Sequence, residues 1–113
     1  WIQLARSGSA ETINFLHEMT LISPDGLRNV IFNAQTAGEA ADNIARLAAF
    51  SGHIADIVSK RGKVNWDKIK SETGLTDKEI RQLRALKKKK EELIPLIIQK
   101  SEDRIIDRLS QRQ

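Results

Sequence analysis

Apolar residues recur along most of this chain at spacings of three and four positions, the period of a helix that buries one face. One such helix is predicted to begin at Ser23 and Pro24, because a serine caps a helix and a proline costs nothing at the first helical position. No segment has the alternating, β-branched pattern of a strand. The pattern therefore predicts an all-α fold, an orthogonal bundle of five or six helices. The buried stripe after Pro24 consists of Leu27, Val30, Ile31 and Ala34.

The segments before this helix have shorter patterns. Trp1 to Arg6 is apolar without a clear period, and we expect a short helix or an arm there. Ser9 is then expected to cap a helix that has Ile13 and Leu16 on its buried face.

The longest helix of the first half is predicted to begin at Thr36 or Ala37 and to run to about Lys60. Thr36 and Glu39 have the spacing of a capping box, in which each side chain accepts a hydrogen bond from the backbone N–H of the other residue. No proline interrupts the segment, and Gly62 follows as a stop signal. The apolar face is wide and rich in alanine, so we expect this to be the central helix of the bundle.

Two short helices separated by a glycine are predicted in the second half. Asn65 is expected to cap the first of them, and Gly74 is expected to end it in the left-handed conformation. Thr76 and Glu79 then repeat the capping-box spacing at the start of the second helix.

The spacing across this helix pair resembles the helix-turn-helix motif of DNA-binding proteins. Ile69, Leu75, Ile80 and Leu83 occupy the apolar positions of the motif, and Gly74 stands at its turn. The resemblance implies that the second helix lies in the major groove of DNA.

The resemblance extends from Trp66 to Ala85 and implies that the polar face of the second helix contacts base edges. Arg81 is then expected to bind guanine through two hydrogen bonds, and Gln82 to bind adenine. Lys70 departs from the motif, because the family usually has a small residue there, one turn before the glycine. A lysine at this position must point outward or separate the two helices.

The distribution of charge favours a polyanionic partner. Trp1 to Ser59 contains three basic and six acidic residues, a net charge of −3, whereas Lys60 to Gln113 contains sixteen and nine, a net charge of +7. We expect one domain with an acidic half, residues 1–62, and a basic half, residues 63–113, directed at a polyanion. The resemblance implies that this polyanion is DNA, and RNA or another polyanion is a second possibility. A plain helical hairpin with a polar exposed face is the alternative. The candidate DNA-binding residues are Lys63, Thr76, Lys78, Arg81, Gln82, Arg84, Lys87, Lys88 and Lys89.

The helix after Thr76 is predicted to continue through Leu86 into the four lysines 87–90. Such a run is explained equally well by a solvated helix turn and by a patch that follows phosphates. Pro95 is expected to end or kink the helix near Ile94, and Ser101 to start a final helix.

The apolar run around Pro95 is too long to remain in water. It is predicted either to return to the central helix or to bury itself against a second copy or a partner protein. The second possibility gives an alternative function, a non-catalytic interaction or assembly module. Its docking residues would be Leu93, Ile94, Leu96, Ile97, Ile105 and Leu109.

Composition limits the remaining classes of function. The 113 residues contain no cysteine, which favours a reducing compartment such as the cytoplasm, nucleoid or nucleus, and no apolar run approaches the length of a membrane span. With two histidines and neither cysteine nor tyrosine, catalytic groups are scarce, so we expect no enzyme, cofactor or metal site. Because the chain begins at Trp1, we expect it to be a fragment of a longer protein.

Overall fold

The computed structural model describes residues 10–111, and within them every regular element is an α-helix. The prediction of an all-α bundle is therefore confirmed for this part of the chain. The arm predicted over Trp1 to Arg6 and the cap predicted at Ser9 lie outside the described residues. The helices are α1 (Ala10–Thr20), α2 (Pro24–Asn33), α3 (Ala37–Ser59), α4 (Trp66–Thr73), α5 (Asp77–Ala85) and α6 (Lys90–Gln111).

The predicted starts of α2 and α3 are confirmed by their capping hydrogen bonds. The Ser23 hydroxyl accepts the N–H of Gly26 at 3.1 Å, and the Thr36 hydroxyl accepts the N–H of Glu39 at 3.0 Å. The capping box expected at α3 is only half formed. In a complete box the Glu39 carboxylate would accept the N–H of Thr36, but here it accepts the N–H of Gln35. Each cap satisfies a backbone donor that has no partner inside its helix.

Helices α3 and α6 form the centre of the bundle. They pack along each other, α1 and α2 cover α3, and α2 also contacts α6. Helix α4 contacts both long helices, whereas α5 packs, among the described helices, against α4 and α6. The buried side chains of both halves of the chain form one apolar cluster, to which α3 contributes Ile44, Leu47, Ile54 and Val58 and α6 contributes Ile97, Ile98, Ile105 and Ile106.

The predicted continuation of α5 into the lysine run is wrong. Helix α5 ends at Ala85, Lys87 has a φ of 53°, and α6 begins at Lys90. An uninterrupted helix would have turned at least one of the four consecutive lysines toward the core. Residues 86–89 instead form an exposed loop between α5 and α6.

Of the two effects expected of Pro95, an end or a kink near Ile94, the helix end is wrong, because α6 continues through Pro95. Since α6 begins at Lys90, Pro95 lies in its second turn, where the missing N–H removes only the bond to the Glu91 carbonyl. Ser101 does not start a helix either. It is buried within α6, and its hydroxyl donates to the Ile97 carbonyl at 2.7 Å.

The apolar run around Pro95 returns to the central helix, the first of the two predicted possibilities. Three of its proposed docking residues belong to the protein's own core, and the other three are half-buried against it. They therefore do not form a free docking surface. The buried residues are Leu93, Ile97 and Ile105, and the half-buried ones are Ile94, Leu96 and Leu109. Within residues 10–111, no helix combines the length and the apolar character needed to cross a membrane.

Candidate nucleic-acid interface

The turn between α4 and α5 is held by local hydrogen bonds. Gly74 has a φ of 76°, and its N–H donates to the Lys70 carbonyl at 2.9 Å, which ends α4 as predicted. The Thr73 hydroxyl donates to the Ile69 carbonyl and accepts the N–H of Leu75. The apolar residues predicted for the helix pair are all buried, namely Ile69, Leu75, Ile80 and Leu83. The sequence pattern thus places these four side chains in the core, and the opposite face of α5 in solvent.

The capping box at the start of α5 is complete. The Thr76 hydroxyl accepts the N–H of Glu79 at 3.2 Å, and the Glu79 carboxylate accepts the N–H of Thr76 at 3.0 Å. Arg104 of α6 lies 2.7 Å from the same carboxylate. The hydrogen bond from the Thr76 backbone, together with Arg104, lowers the pKa of Glu79. Thr76 is one of the predicted DNA-binding residues, and in this cap its hydroxyl accepts the N–H of Glu79 and donates to the Glu79 carboxylate.

Lys70 points outward, so it does not separate α4 from α5. Its Nζ lies 2.7 Å from the Asp77 carboxylate, and both side chains are exposed. The hydrogen bond from Lys70 lowers the pKa of Asp77. Both carboxylates at the start of α5 are therefore paired with a cation from a neighbouring helix, which reduces their repulsion of an approaching polyanion.

The outer face of α5 is open to solvent. Lys78, Arg81 and Gln82 on this face are exposed, and so is Arg84 at the C-terminal end of the helix. Among the described residues, the ion pairs include none of these three cations. The charge of Arg81 nevertheless acts on Asp77 and helps to lower the pKa of that carboxylate.

A cleft of about 430 Å³ lies beyond the C-terminal end of α5, where the loop before α4, the loop before α6 and the start of α6 meet. We call it the basic cleft. Among the described residues that line it, five are basic, four are apolar and none carries a carboxylate. The basic residues are Lys63, Arg84, Lys87, Lys88 and Lys90, and the apolar residues are Val64, Trp66, Leu83 and Leu93.

Lys90 connects two walls of the basic cleft. Its Nζ donates to the carbonyls of Lys60 and Gly62, each at 2.7 Å, and so holds the loop after α3 against the start of α6. Gly62 has a φ of 88°, a conformation that glycine adopts without strain. This loop brings Lys63 to the same cleft as Lys87, although the two residues are far apart in sequence.

The structure divides the predicted DNA-binding residues into two groups. Lys63, Arg84, Lys87 and Lys88 meet at the basic cleft, whereas Lys78, Arg81 and Gln82 lie on the outer face of α5. Lys89 is exposed in the loop but does not line the cleft. Sequence reasoning did not assign Trp66 or Lys90 to the site. The signal available for Trp66 was its position beside the basic loop, where an aromatic ring follows a cluster of cations.

Neither a family model nor any curated protein or solved structure matches the chain. The interpretation of this surface therefore depends on its own residues and their geometry. Within the described part of the chain, no three metal-binding side chains lie close enough together to hold an ion.

Proposed function

We propose that this protein binds nucleic acid, with duplex DNA as the favoured form. In this proposal α5 enters the major groove, and the basic cleft at its C-terminal end holds the sugar-phosphate backbone. The observation that carries the proposal is the convergence of cations from three separate segments on one cleft; among the described residues none of these cations forms an ion pair and no carboxylate lines the cleft. Phosphate contacts of this kind supply most of the affinity of a DNA-binding surface.

The packing of α5 supports the same proposal. Among the described helices α5 contacts α4 and α6 and not the long helix α3, and its outer face is exposed. Arg81 and Gln82 on that face carry the side-chain groups that recognise guanine and adenine. The acids at the start of α5 are paired, so the face presents its cations to the DNA.

The proposed base contact is tested with Arg81→Ala. Binding of the variant is measured by fluorescence anisotropy on a duplex selected for affinity and on a random duplex. We expect a loss of about 1–3 kcal/mol on the selected duplex and a much smaller loss on the random one. Arg46→Ala is the matched control, because Arg46 is an exposed arginine on α3 outside the cleft. Equal losses on the two duplexes would exclude recognition of bases by Arg81.

The proposed phosphate contacts are tested with Lys63→Ala and Lys88→Ala. Each change should weaken binding to both duplexes equally. It should also reduce the slope of the logarithm of the binding constant against the logarithm of the salt concentration by about one unit per lost phosphate contact. Lys100→Ala removes an exposed lysine of α6 that does not line the cleft, so it should change neither quantity. If the wild type binds no nucleic acid even at about 50 mM salt, the proposed function is wrong.

An interaction module remains a second candidate, on a different surface from the one predicted. Phe15 and Met19 lie one turn apart on α1 and are 54% and 46% exposed. Exposed apolar pairs of this kind are typical of contact surfaces. Sedimentation of wild type and of Phe15→Ser/Met19→Ser tests self-association through α1. Two monomers of equal mass would exclude it.

A further inference from the structure

We propose that the basic cleft holds an unpaired nucleotide of a strand that leaves a duplex, with the base against Trp66 and the phosphates among the surrounding cations. The protein would then prefer a duplex with a single-stranded overhang to a blunt duplex. This inference rests on the proposed nucleic-acid binding and specifies the form of ligand at the same site.

The apolar floor of the cleft is the first reason. A surface that only follows phosphates needs cations, and its binding does not require an aromatic ring or aliphatic side chains. Trp66 is half-buried at the start of α4 and lines the cleft together with Val64 and Leu83. Unpaired bases stack on aromatic side chains of this kind in single-strand-binding proteins, largely without regard to sequence.

The arrangement of charge is the second reason. Lys63 reaches the cleft from the loop before α4, Lys87 and Lys88 reach it from the loop before α6, and Arg84 reaches it from the end of α5. A base on the tryptophan would therefore share the cleft with cations from three segments, which are available to its phosphates. Lys90 is a positioning residue here, because its ammonium group already donates to two carbonyls of the loop after α3.

The volume of the cleft is the third reason. About 430 Å³ lies within the usual range for small-ligand sites, roughly 300–1,000 Å³. A base within a duplex is stacked between its neighbours and must be extruded, at a cost, before it enters such a cleft. A nucleotide in an overhang has already left the stack, so it should fill the cleft without that cost.

The binding test compares three DNA ligands of common sequence, a blunt duplex, the same duplex with a short overhang, and the single strand. We expect the overhang to tighten binding about tenfold at fixed salt, the order of one base stacked on one ring. A Trp1→Phe background leaves Trp66 as the only tryptophan, since the sequence contains two. Its fluorescence should be quenched by the overhang and not by the blunt duplex.

Variants then separate stacking from charge. Trp66→Phe should keep most of the preference for the overhang, measured as the ratio of the affinities for overhang and blunt duplex, whereas Trp66→Leu should bring this ratio to about one. Because Trp66 also packs against the core, the stability of each variant is measured by urea unfolding. The double variant Lys63→Ala/Lys88→Ala leaves the ring in place and should weaken binding of the overhang ligand more than Lys100→Ala does.

The possible failures are distinguishable. If blunt duplex binds and the overhang adds neither affinity nor quenching, the inference is overturned and the proposed function stands. The inference is also overturned if Trp66→Leu retains the preference at undiminished stability. If none of the three ligands binds at about 50 mM salt, the proposed function fails and the inference fails with it.

Discussion

At the scale of single residues, Lys87 has the least favourable backbone conformation near the site. Its φ of 53° lies in the left-handed region, which costs a residue with a side chain roughly 1–2 kcal/mol. The conformation allows the chain to leave α5 and to begin α6 three residues later. Strain of this kind is often retained where a side chain has a role in binding, and Lys87 lines the basic cleft.

We therefore expect Lys87→Gly to raise stability and to weaken nucleic-acid binding. Glycine adopts a positive φ without strain, so the free energy of unfolding should increase by about 1 kcal/mol, measured in urea. Lys88→Gly in the same loop is the control, because Lys88 has no positive φ. It should lower stability, since a flexible residue is introduced and no strain is relieved. Equal stability changes in the two variants would show that Lys87 is not strained.

The Glu79 carboxylate makes the start of α5 sensitive to acid. The pKa of Glu79 is lower in the folded protein than its ordinary value of 4.5. The ionised carboxylate therefore contributes fully to the free energy of unfolding above pH 4.5, and this contribution is lost as the pH falls through the lower pKa of the folded state. Wild type should therefore be more stable than Glu79→Gln at neutral pH. Thermal unfolding between about pH 7 and pH 3 should show the difference narrow as the carboxylate is protonated. A stability difference between wild type and Glu79→Gln that stays constant across this pH range would contradict the lowered pKa of Glu79.

At the scale of helices, the predictions succeeded where the signal was local. The caps at Ser23, Asn65 and Thr76 each depend on a side chain and a backbone group within three residues, and all three are present. The predictions failed around Leu86 and Pro95, where tertiary packing decides the outcome. The burial of Leu93 and Ile97 in the common apolar cluster favours continuation of α6 through the proline, and no local pattern contains that information.

The two prolines provide a matched test of this explanation. Pro24 stands at the first position of α2, where an N–H would have no helical partner, whereas Pro95 interrupts the second turn of α6. Pro95→Ala should restore one helical hydrogen bond, but it also makes the unfolded chain more flexible, which offsets part of the stabilisation. We expect a net increase of about 1–2 kcal/mol in the free energy of unfolding. Pro24→Ala should give no gain. Urea unfolding of both variants measures the difference, and a loss of stability in Pro95→Ala would contradict the explanation.

At the scale of the whole molecule, the sequence contained the charges of the candidate site but not their arrangement. The concentration of cations in the second half was visible, and so were the exposed positions of α5. That Lys63 meets Lys87 beside Trp66 depends on how the loop after α3 folds against the start of α6, through the hydrogen bonds of Lys90. Contacts between distant segments have no periodic pattern in one sequence, and the cleft could not be predicted for that reason.

The apolar core shared by α3 and α6 implies that the acidic and basic halves of the chain unfold together. Leu47 of α3 and Ile97 of α6 are buried in one apolar cluster, so neither half keeps a complete core without the other. We expect Leu47→Ala to lower the free energy of unfolding by about 2–5 kcal/mol, although it lies in the half without the candidate site. Arg46→Ala, at the neighbouring exposed position, should change the free energy of unfolding little.

Two probes of one urea titration measure this coupling. Fluorescence of Trp66, in the Trp1→Phe background, reports on the basic half, and circular dichroism reports on all helices together. Both should give the same midpoint in the parent protein, and Leu47→Ala should shift both midpoints equally. A tryptophan transition that stays in place while the helical signal shifts would show that the basic half, residues 63–113, folds independently. In that case the basic cleft would be formed by the basic half without support from α3.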